Sequence, residues 1–390
     1  MNPTLPLAPM LALAVGQTLI WAATFYLFPA LLLQFEAGTG WSKTSLTAAY
    51  TGALLVAAAA SSSVGRLVDA GRGRNTIIGG MVAAIILLTA LSQVKAYWQF
   101  MTLWLLLGVV MATSLYEPCF AMLVRHLGVR ARAAITRITL VAGFAGTISF
   151  PVANWIAAQA DWRAAVLTFA ALVLLIALPC TIWGLSRLVL LSVAGEELET
   201  HASKRKRSPR MSFWLLAIAF ALTTVNHSML INHLLPMLAE RGVAAVFAVT
   251  AASMIGPMQV AGRVVMIATE RHVSNRATTV FCFVSMTLAV LCLWTAGASE
   301  TLIFTFVVLQ GAPWGVMSIA RPAVTRDVLG AAGFGVNSGR ISGLSLAGAA
   351  IAPFGGALIW SAAGYNALLL FAFAMMAVAT IIIAVGTARG

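Results

Sequence analysis

The chain has 390 residues, 61 % of them hydrophobic and only 9 % charged, with a mean hydropathy of +0.95. A soluble domain carries about 25 % charged residues, so this composition leaves too little polar surface for a globule in water and defines an integral membrane protein. Its net charge of +13 is distributed over many short loops, unlike the clustered basic face with which nucleic-acid binders meet phosphates.

The N-terminus has no positively charged n-region and no small-residue cleavage site, so the first apolar run is expected to be retained as a span. A hydrocarbon core roughly 30 Å thick needs about 20 apolar residues per crossing. In chain order the sequence predicts twelve spans. Those of the first half are Leu7–Leu33, Thr44–Val64, Thr76–Leu91, Phe100–Val124, Ile135–Ala158 and Ala164–Leu185. Those of the second are Phe213–Leu238, Ala244–Ala268, Thr278–Ala296, Leu302–Val324, Ile341–Ala362 and Ala367–Gly386, and the third and ninth spans are the shortest. The long polar stretch between spans six and seven divides the chain into an N-terminal bundle (1–186), a linker (187–211) and a C-terminal bundle (212–390).

Of the 24 Lys and Arg, all but Lys43, Lys95, Arg163 and Arg241 fall on one set of connections and on the C-terminus. Basic residues accumulate on the cytoplasmic side, so both termini and the central loop are expected there, in a bacterial inner membrane. The run "SKRKRSPR" (203–210) reads as a topology anchor beside anionic lipid headgroups, and no nucleic-acid role is expected.

The two halves echo one another. "SLYEPCFAML" in the fourth span aligns with "SIARPAVTRD" in the tenth at an offset of 204 residues; Pro151 aligns with Pro353 at 202, and "VGRLVD" with "AGRVVM" at 197. Offsets this similar indicate an internal duplication. Two related bundles that rock about a central site are the architecture of an alternating-access carrier.

At "VGRLVDAGRGRN" the chain resembles the major facilitator superfamily, on the residues Gly65, Leu67 and Asp69 followed by the basic Arg72 and Arg74. The resemblance covers nearly the whole chain and implies an all-α membrane protein of twelve transmembrane helices in two pseudo-symmetric six-helix bundles. It also implies a gating role for Asp69 at the cytoplasmic side, with Arg72 and Arg74 as its basic neighbours. Ala70 and Arg72 stand where the family usually has a basic residue and a glycine, and Met266 replaces the acid in the second-half echo. "GQTLIWAATFYLFPALL", "LYEPCFAMLVR", "INHLLPMLAERG" and "IGPMQVAGRV" resemble the bacterial monocarboxylate-porter-like branch. The fifth span, "GFAGTISFPVANW", lacks the Gly-Pro-x-x-Gly-Gly core of many drug/proton antiporters.

Ionisable side chains inside spans are costly and face a cavity or a partner. Of the 11 acids only Glu117 lies well inside a span; Arg125 marks the cytoplasmic end of its helix, about 12 Å away at 1.5 Å per residue. Pro118 removes a backbone donor and should kink the helix. Arg321, the repeat-mate of Glu117, also precedes a proline. Two readings stay open: the pair binds substrate or responds to protons, or it is a structural ion pair at the gate, with Arg321 snorkelling. In the seventh span Asn226 and His233 share a helical face with Thr223 and Leu230, and histidine suits proton coupling. His227 lies about 100° from Asn226 on the helical wheel. Gln17 and Trp21, four apart in the first span, continue as a face with Thr24 and Phe28. Any of these amides can equally act as glue between helices.

No GxSxG, HExxH or GxxxxGK[ST] occurs, and the four cysteines sit in apolar runs without metal-ligand spacing. No enzyme activity, cofactor or metal is expected. The sequence predicts a monomeric secondary carrier for a small polar organic solute (a metabolite, carboxylate or vitamin-like compound), by uptake and proton-coupled. An exporter of a drug or toxic metabolite, and a non-transporting sensor on a carrier scaffold, are the rival readings.

Overall fold

The computed structural model describes residues 6–193, 210–269 and 272–388. Most of the basic run 203–210 and the acids Glu196, Glu197, Glu199 and Glu270 lie outside the described residues, as do Arg271 and Arg389. Every described regular element is a helix. Ten are long and apolar enough to cross a membrane: α1 Leu7–Thr39, α2 Thr44–Leu91, α3 Tyr97–Leu127, α4 Ala131–Gln159 and α5 Trp162–Leu188, then α6 Arg210–Glu240, α7 Val246–Thr269, α8 Asn275–Thr295, α9 Glu300–Leu329 and α10 Phe334–Ala388.

Two of the ten are twice the length of a crossing. Helix α2 has 48 residues and α10 has 55, about 70 and 80 Å at 1.5 Å per residue. Each is broken at one glycine in the left-handed region, Gly71 (φ 82°) and Gly364 (φ 75°), where a side chain would be strained. Dividing both there yields twelve crossing segments, consistent with the count expected from hydropathy. Three helix starts after loops are capped by the polar residue that precedes them. Ser42, Asp161 and Ser274 each accept a hydrogen bond from a first-turn amide, at 3.2, 2.7 and 3.2 Å, which satisfies donors the helix cannot.

The chain divides into two compact units. The first comprises Met1–Lys206 with Ala331–Gly339, the second Arg207–Gly330 with Arg340–Gly390. In the first unit α2 packs along α3; in the second, α7 and α8 both pack along α9. The cores are apolar, filled by Phe35, Phe100, Trp104 and Phe169 in the first unit and Phe220, Phe283 and Phe306 in the second.

Prolines inside the spans set a local problem, and at three of them a neighbouring helix solves it. A proline has no N–H for the carbonyl four residues before it, and hydrocarbon offers no water as a substitute. Pro29 frees the carbonyl of Phe25, where α1 widens into a π-helical turn over Ala22–Tyr26; the Tyr50 hydroxyl donates to that carbonyl at 3.0 Å. Pro118 frees the carbonyl of Ser114, and Gln17 Nε2 donates to it at 3.0 Å. Pro353 frees the carbonyl of Ala349, and Ser228 Oγ donates to it at 2.9 Å. The expected kink before Pro118 is a full break at Leu115 (φ −80°, ψ −158°). Its repeat-mate Pro322 leaves α9 continuous.

Ser228→Ala should therefore cost about 1 kcal/mol of stability, within the range of interhelical hydrogen bonds in membranes. In the background Pro353→Ala, whose new N–H can reach the Ala349 carbonyl, the same change should cost close to nothing. A double-mutant cycle on unfolding in mixed detergent micelles measures the difference, and equal costs in the two backgrounds would refute this capping role.

Candidate functional site

In the first unit, the π-helical turn of α1 brings Trp21, Phe25 and Tyr26 to one side. Trp21 stacks obliquely on Tyr116 of α3 at 4.6 Å between ring centres, and Tyr116 lies parallel to Phe120 at 4.9 Å. Phe25 adjoins Trp21 at 5.0 Å and Tyr26 at 5.3 Å. Gln17, one turn before Trp21, is 2 % exposed. Its amide nitrogen is tied to the Ser114 carbonyl, while its Oε1 and the Trp21 Nε1–H are buried without a partner. Glu117 follows Tyr116 directly and is half-buried in the first turn of the helix that restarts after Leu115; it is engaged by a partner.

In the second unit, Asn226 and His233 do share a face, and that face is turned to α10. Asn226 is fully buried, with Nδ2 donating to the Ala372 carbonyl at 3.0 Å. His233 Nε2 lies 3.0 Å from the Pro353 carbonyl, which fixes the proton on that nitrogen. Thr223 and Leu230 are buried on the same face. Arg321 on α9 is half-buried and engaged by a partner.

His227, which sequence reasoning left aside because it points away from the Asn226 face, is at the centre of a separate cluster. Its ring lies flat on Trp314, 3.7 Å between centres and 9° between planes. Gln310 Nε2 sits 3.1 Å from His227 Nδ1; with the amide nitrogen donating, the imidazole proton is on Nε2. Gln310 is fully buried and its Oε1 is unpartnered. One turn on, Arg263 of α7 donates through Nε to the Gly315 carbonyl at 3.0 Å. The available signal in the sequence was the spacing "QGAPW", a glutamine and tryptophan one helical turn apart.

The residues expected at the gate separate. The Asp69 carboxylate accepts from two consecutive backbone amides, Gly335 N at 2.8 Å and Val336 N at 2.9 Å, at the partly buried N-terminus of α10, which here belongs to the first unit. A negative charge at that position meets unsatisfied N–H groups and the positive end of the helix dipole. Arg125, at the end of α3, donates to the carbonyls of Val68 (3.2 Å) and Asp69 (2.5 Å) and so holds the turn that presents the acid. Arg74 is directed elsewhere, to Ser186 Oγ at 3.2 Å, and the Arg72 side chain is exposed. Arg125 is thus the basic residue beside Asp69. At the opposite end of the second unit's helices, Arg241 donates to the Leu293 carbonyl at 2.6 Å; burial lowers its pKa, and the neighbouring Glu240 pulls the other way. Among the described residues no group of three or more His, Cys, Asp or Glu gathers, so no metal centre is assigned.

Ten helices long and apolar enough to cross a membrane indicate a multi-pass membrane protein. The chain belongs to the Major Facilitator Superfamily, which it matches over residues 13–353. No curated protein sequence matches it. Its fold is similar to that of several solved transporters. The human organic anion transporter TETRAN shares 15 % identity over 96 % of this chain and 98 % of that one, with a TM-score of 0.72. A variant of the E. coli fucose:proton symporter FucP shares 15 % identity over 97 % and 98 %, with a TM-score of 0.71. A bacterial homologue of the iron transporter ferroportin shares 14 % identity over 98 % and 99 %, with a TM-score of 0.74.

Replacing Asp69 by Asn leaves one acceptor and sets an NH₂ group against a backbone N–H. A hydrogen bond to a charged group contributes about 1.5–3 kcal/mol. Asp69→Asn should accordingly reduce the hydrogen-exchange protection of the Gly335 and Val336 amides by about tenfold or more, each tenfold being 1.4 kcal/mol. Unchanged protection at both amides would show that the Asp69 carboxylate does not hold them.

Proposed function

We propose that this chain is a secondary-active carrier that takes up a small polar organic solute, together with protons, across the bacterial inner membrane by alternating access. The solute class is a metabolite, carboxylate or vitamin-like compound, as in the monocarboxylate-porter-like branch. The observation that carries the reading is the character of the interior. Polar groups inside the spans are mostly neutral amides, hydroxyls and imidazoles set among aromatic rings, and Glu117 is the one acid well within a span. A neutral interior of this kind suits an uncharged or singly charged organic solute, and a lone acid suits one proton per cycle. The loop distribution of Lys and Arg supports cytoplasmic termini, and the chain is taken to act as a monomer.

Residues divide by task in this reading. Gln17, Trp21 and Glu117 contribute to the solute pathway from the first unit, with Asn226, His233 and Arg321 from the second. Asn226 and His233 shape the pathway by holding α6 against α10, since their polar atoms serve that contact. Asp69, with Arg125 presenting it, acts as a latch released during the cycle; Arg72 and Arg74 supply positive charge around it. The structural neighbours carry solutes as unlike as fucose, organic anions and iron by their own descriptions, so the fold does not select among substrates.

Export of a drug or toxic metabolite is the second reading. The fifth span's lack of the antiporter motif stands against it. Deletion would then sensitise cells to a compound instead of abolishing growth on one.

A thermal-shift screen of metabolites on detergent-purified protein should find a ligand, because a compound that binds only the folded state raises the melting temperature. With that ligand in proteoliposomes, Glu117→Gln should abolish the pH dependence of uptake while leaving binding within a few-fold. Retention of the wild-type pH profile would exclude Glu117 as the coupling acid.

A further inference from the structure

On the outside of the first unit, α5 shows Ile176, Pro179, Trp183 and Arg187, all exposed. Spaced three and four residues apart, they form one helical face. In the second half of α2, Ile86, Val82, Gly79 and Asn75 form a matching exposed face, with Arg74 exposed beside Asn75. These two segments pack side by side. Arg74 joins them at one end by donating to Ser186 Oγ at 3.2 Å. Ser186 directly precedes Arg187, and its own proton is committed to the Ile182 carbonyl at 2.7 Å. Both faces thus turn from apolar to polar at the same end, and the two arginines share one seam.

The order of side chains along α5 is the order a bilayer imposes. Ile176 and Pro179 suit hydrocarbon, and Trp183 suits the headgroup boundary, where indole rings concentrate. Arg187, one turn further, suits the phosphate level. Its guanidinium lies 6.0 Å from the centre of the Trp183 ring, at the limit of a cation–π contact. On α2, Gly79 leaves open space, with no atom within 4 Å of the point where a side chain would begin.

No carboxylate among the described residues balances this seam. Asp69 has both oxygens on the Gly335 and Val336 amides, and Glu117 is half-buried within α3. Glu36 and Asp161 belong to the opposite end of the unit, where Gly38 adjoins Trp162. Other arginines of the same end are turned inward. Arg66 folds back on Ser62 and Ser63 of its own helix, and Arg125 holds the carbonyls of Val68 and Asp69. Arg74 uses one N–H on Ser186 and keeps the rest of its donor fork open.

We propose that the seam between the third and sixth predicted spans is a binding site for an anionic phospholipid. The lipid phosphodiester accepts from the open N–H groups of Arg74 and Arg187. Trp183 sits at the level of the lipid glycerol, and an acyl chain runs along the exposed apolar faces past Gly79. Arginine meets a phosphate with parallel N–H bonds, and a headgroup of net negative charge is favoured where no carboxylate competes. The site is independent of the solute that the chain carries.

Phosphatidylglycerol and phosphatidylcholine make the test, since both contain a phosphodiester and only the first has net charge. Scintillation proximity binding of radiolabelled phosphatidylglycerol to the purified full chain in neutral detergent, with each lipid as unlabelled competitor, should show a preference of about thirtyfold for phosphatidylglycerol. Arg74→Gln and Arg187→Gln should each reduce that preference about fivefold, the order expected of one basic residue at an anionic surface, and together should remove it. Arg163→Gln should leave it unchanged, because that guanidinium sits on Trp162 at the other end of α5 and donates to the Val94 carbonyl. Where an arginine variant fails to fold, the wild type still decides. Phosphatidylglycerol brominated on its acyl chains should quench the emission that Trp183→Phe removes, and brominated phosphatidylcholine should quench it less. Equal affinity for the two lipids, a preference untouched in the double variant, or equal quenching would overturn the assignment. Displacement of the labelled lipid by millimolar inorganic phosphate would make the ligand a free phosphate and overturn it as well.

Discussion

Every carbonyl released inside hydrocarbon has to find a donor within the protein, and much of the polar chemistry in this chain is organised by that requirement. At three of the span prolines, Pro29, Pro118 and Pro353, the carbonyl exposed one turn earlier receives a donor from a side chain of a neighbouring helix in the same unit: Tyr50, Gln17 and Ser228. These bonds do two things at once. They allow irregular backbone to exist at membrane depth, and they pin one helix to another where apolar packing against lipid-like surfaces provides little specificity. The irregular points are also where the aromatic clusters lie. The π-helical turn of α1 presents Trp21, Phe25 and Tyr26 together, and the break at Leu115 turns Tyr116 and Glu117 toward the start of a new helix.

The same requirement limits what could be read from sequence about the site. Composition and hydropathy are summed over many residues, so the helical membrane fold was legible, and the ten long helices are consistent with the expected count of crossings, whereas the break at Gly71 was not singled out. Individual polar residues are different. Gln17, Asn226 and His233 were singled out because a polar group in a span is expensive, and the structure shows each one bonded to a backbone carbonyl of its own unit. The sequence records the cost of such a residue but not the partner that offsets it. His227 illustrates the converse. Its helical angle separated it from its neighbours on α6, while its significance comes from two residues of α9 more than 80 positions away.

Asp69 is intermediate between these cases. Its loop carries a recognisable pattern, so the acid could be identified, but the pattern is silent about what the carboxylate meets. Sequence adjacency suggested Arg72 and Arg74. The structure instead gives the carboxylate the two free amides at the start of α10, 266 and 267 residues away, and gives the surrounding turn to Arg125. The arrangement is physically economical, because a helix N-terminus offers fixed donors and partial positive charge without the conformational entropy of ordering long basic side chains. Gly71 completes it by allowing the left-handed turn that separates the acid from the helix continuing to Leu91.

The repeat read in the sequence carries further for the frame of the molecule than for its chemistry. Glu117 and Arg321 occupy equivalent places before equivalent prolines, yet α3 breaks three residues before Pro118 while α9 runs unbroken through Pro322. The polar groups of the two units accordingly differ, and Gln17, Asn226 and His233 are each bonded to backbone within their own unit. Five amides among the described residues, Gln17, Gln34, Asn226, Asn275 and Gln310, keep a buried oxygen without a partner, and in every one of them the nitrogen is tied to a neighbour, so the pinning bond is made through nitrogen in each.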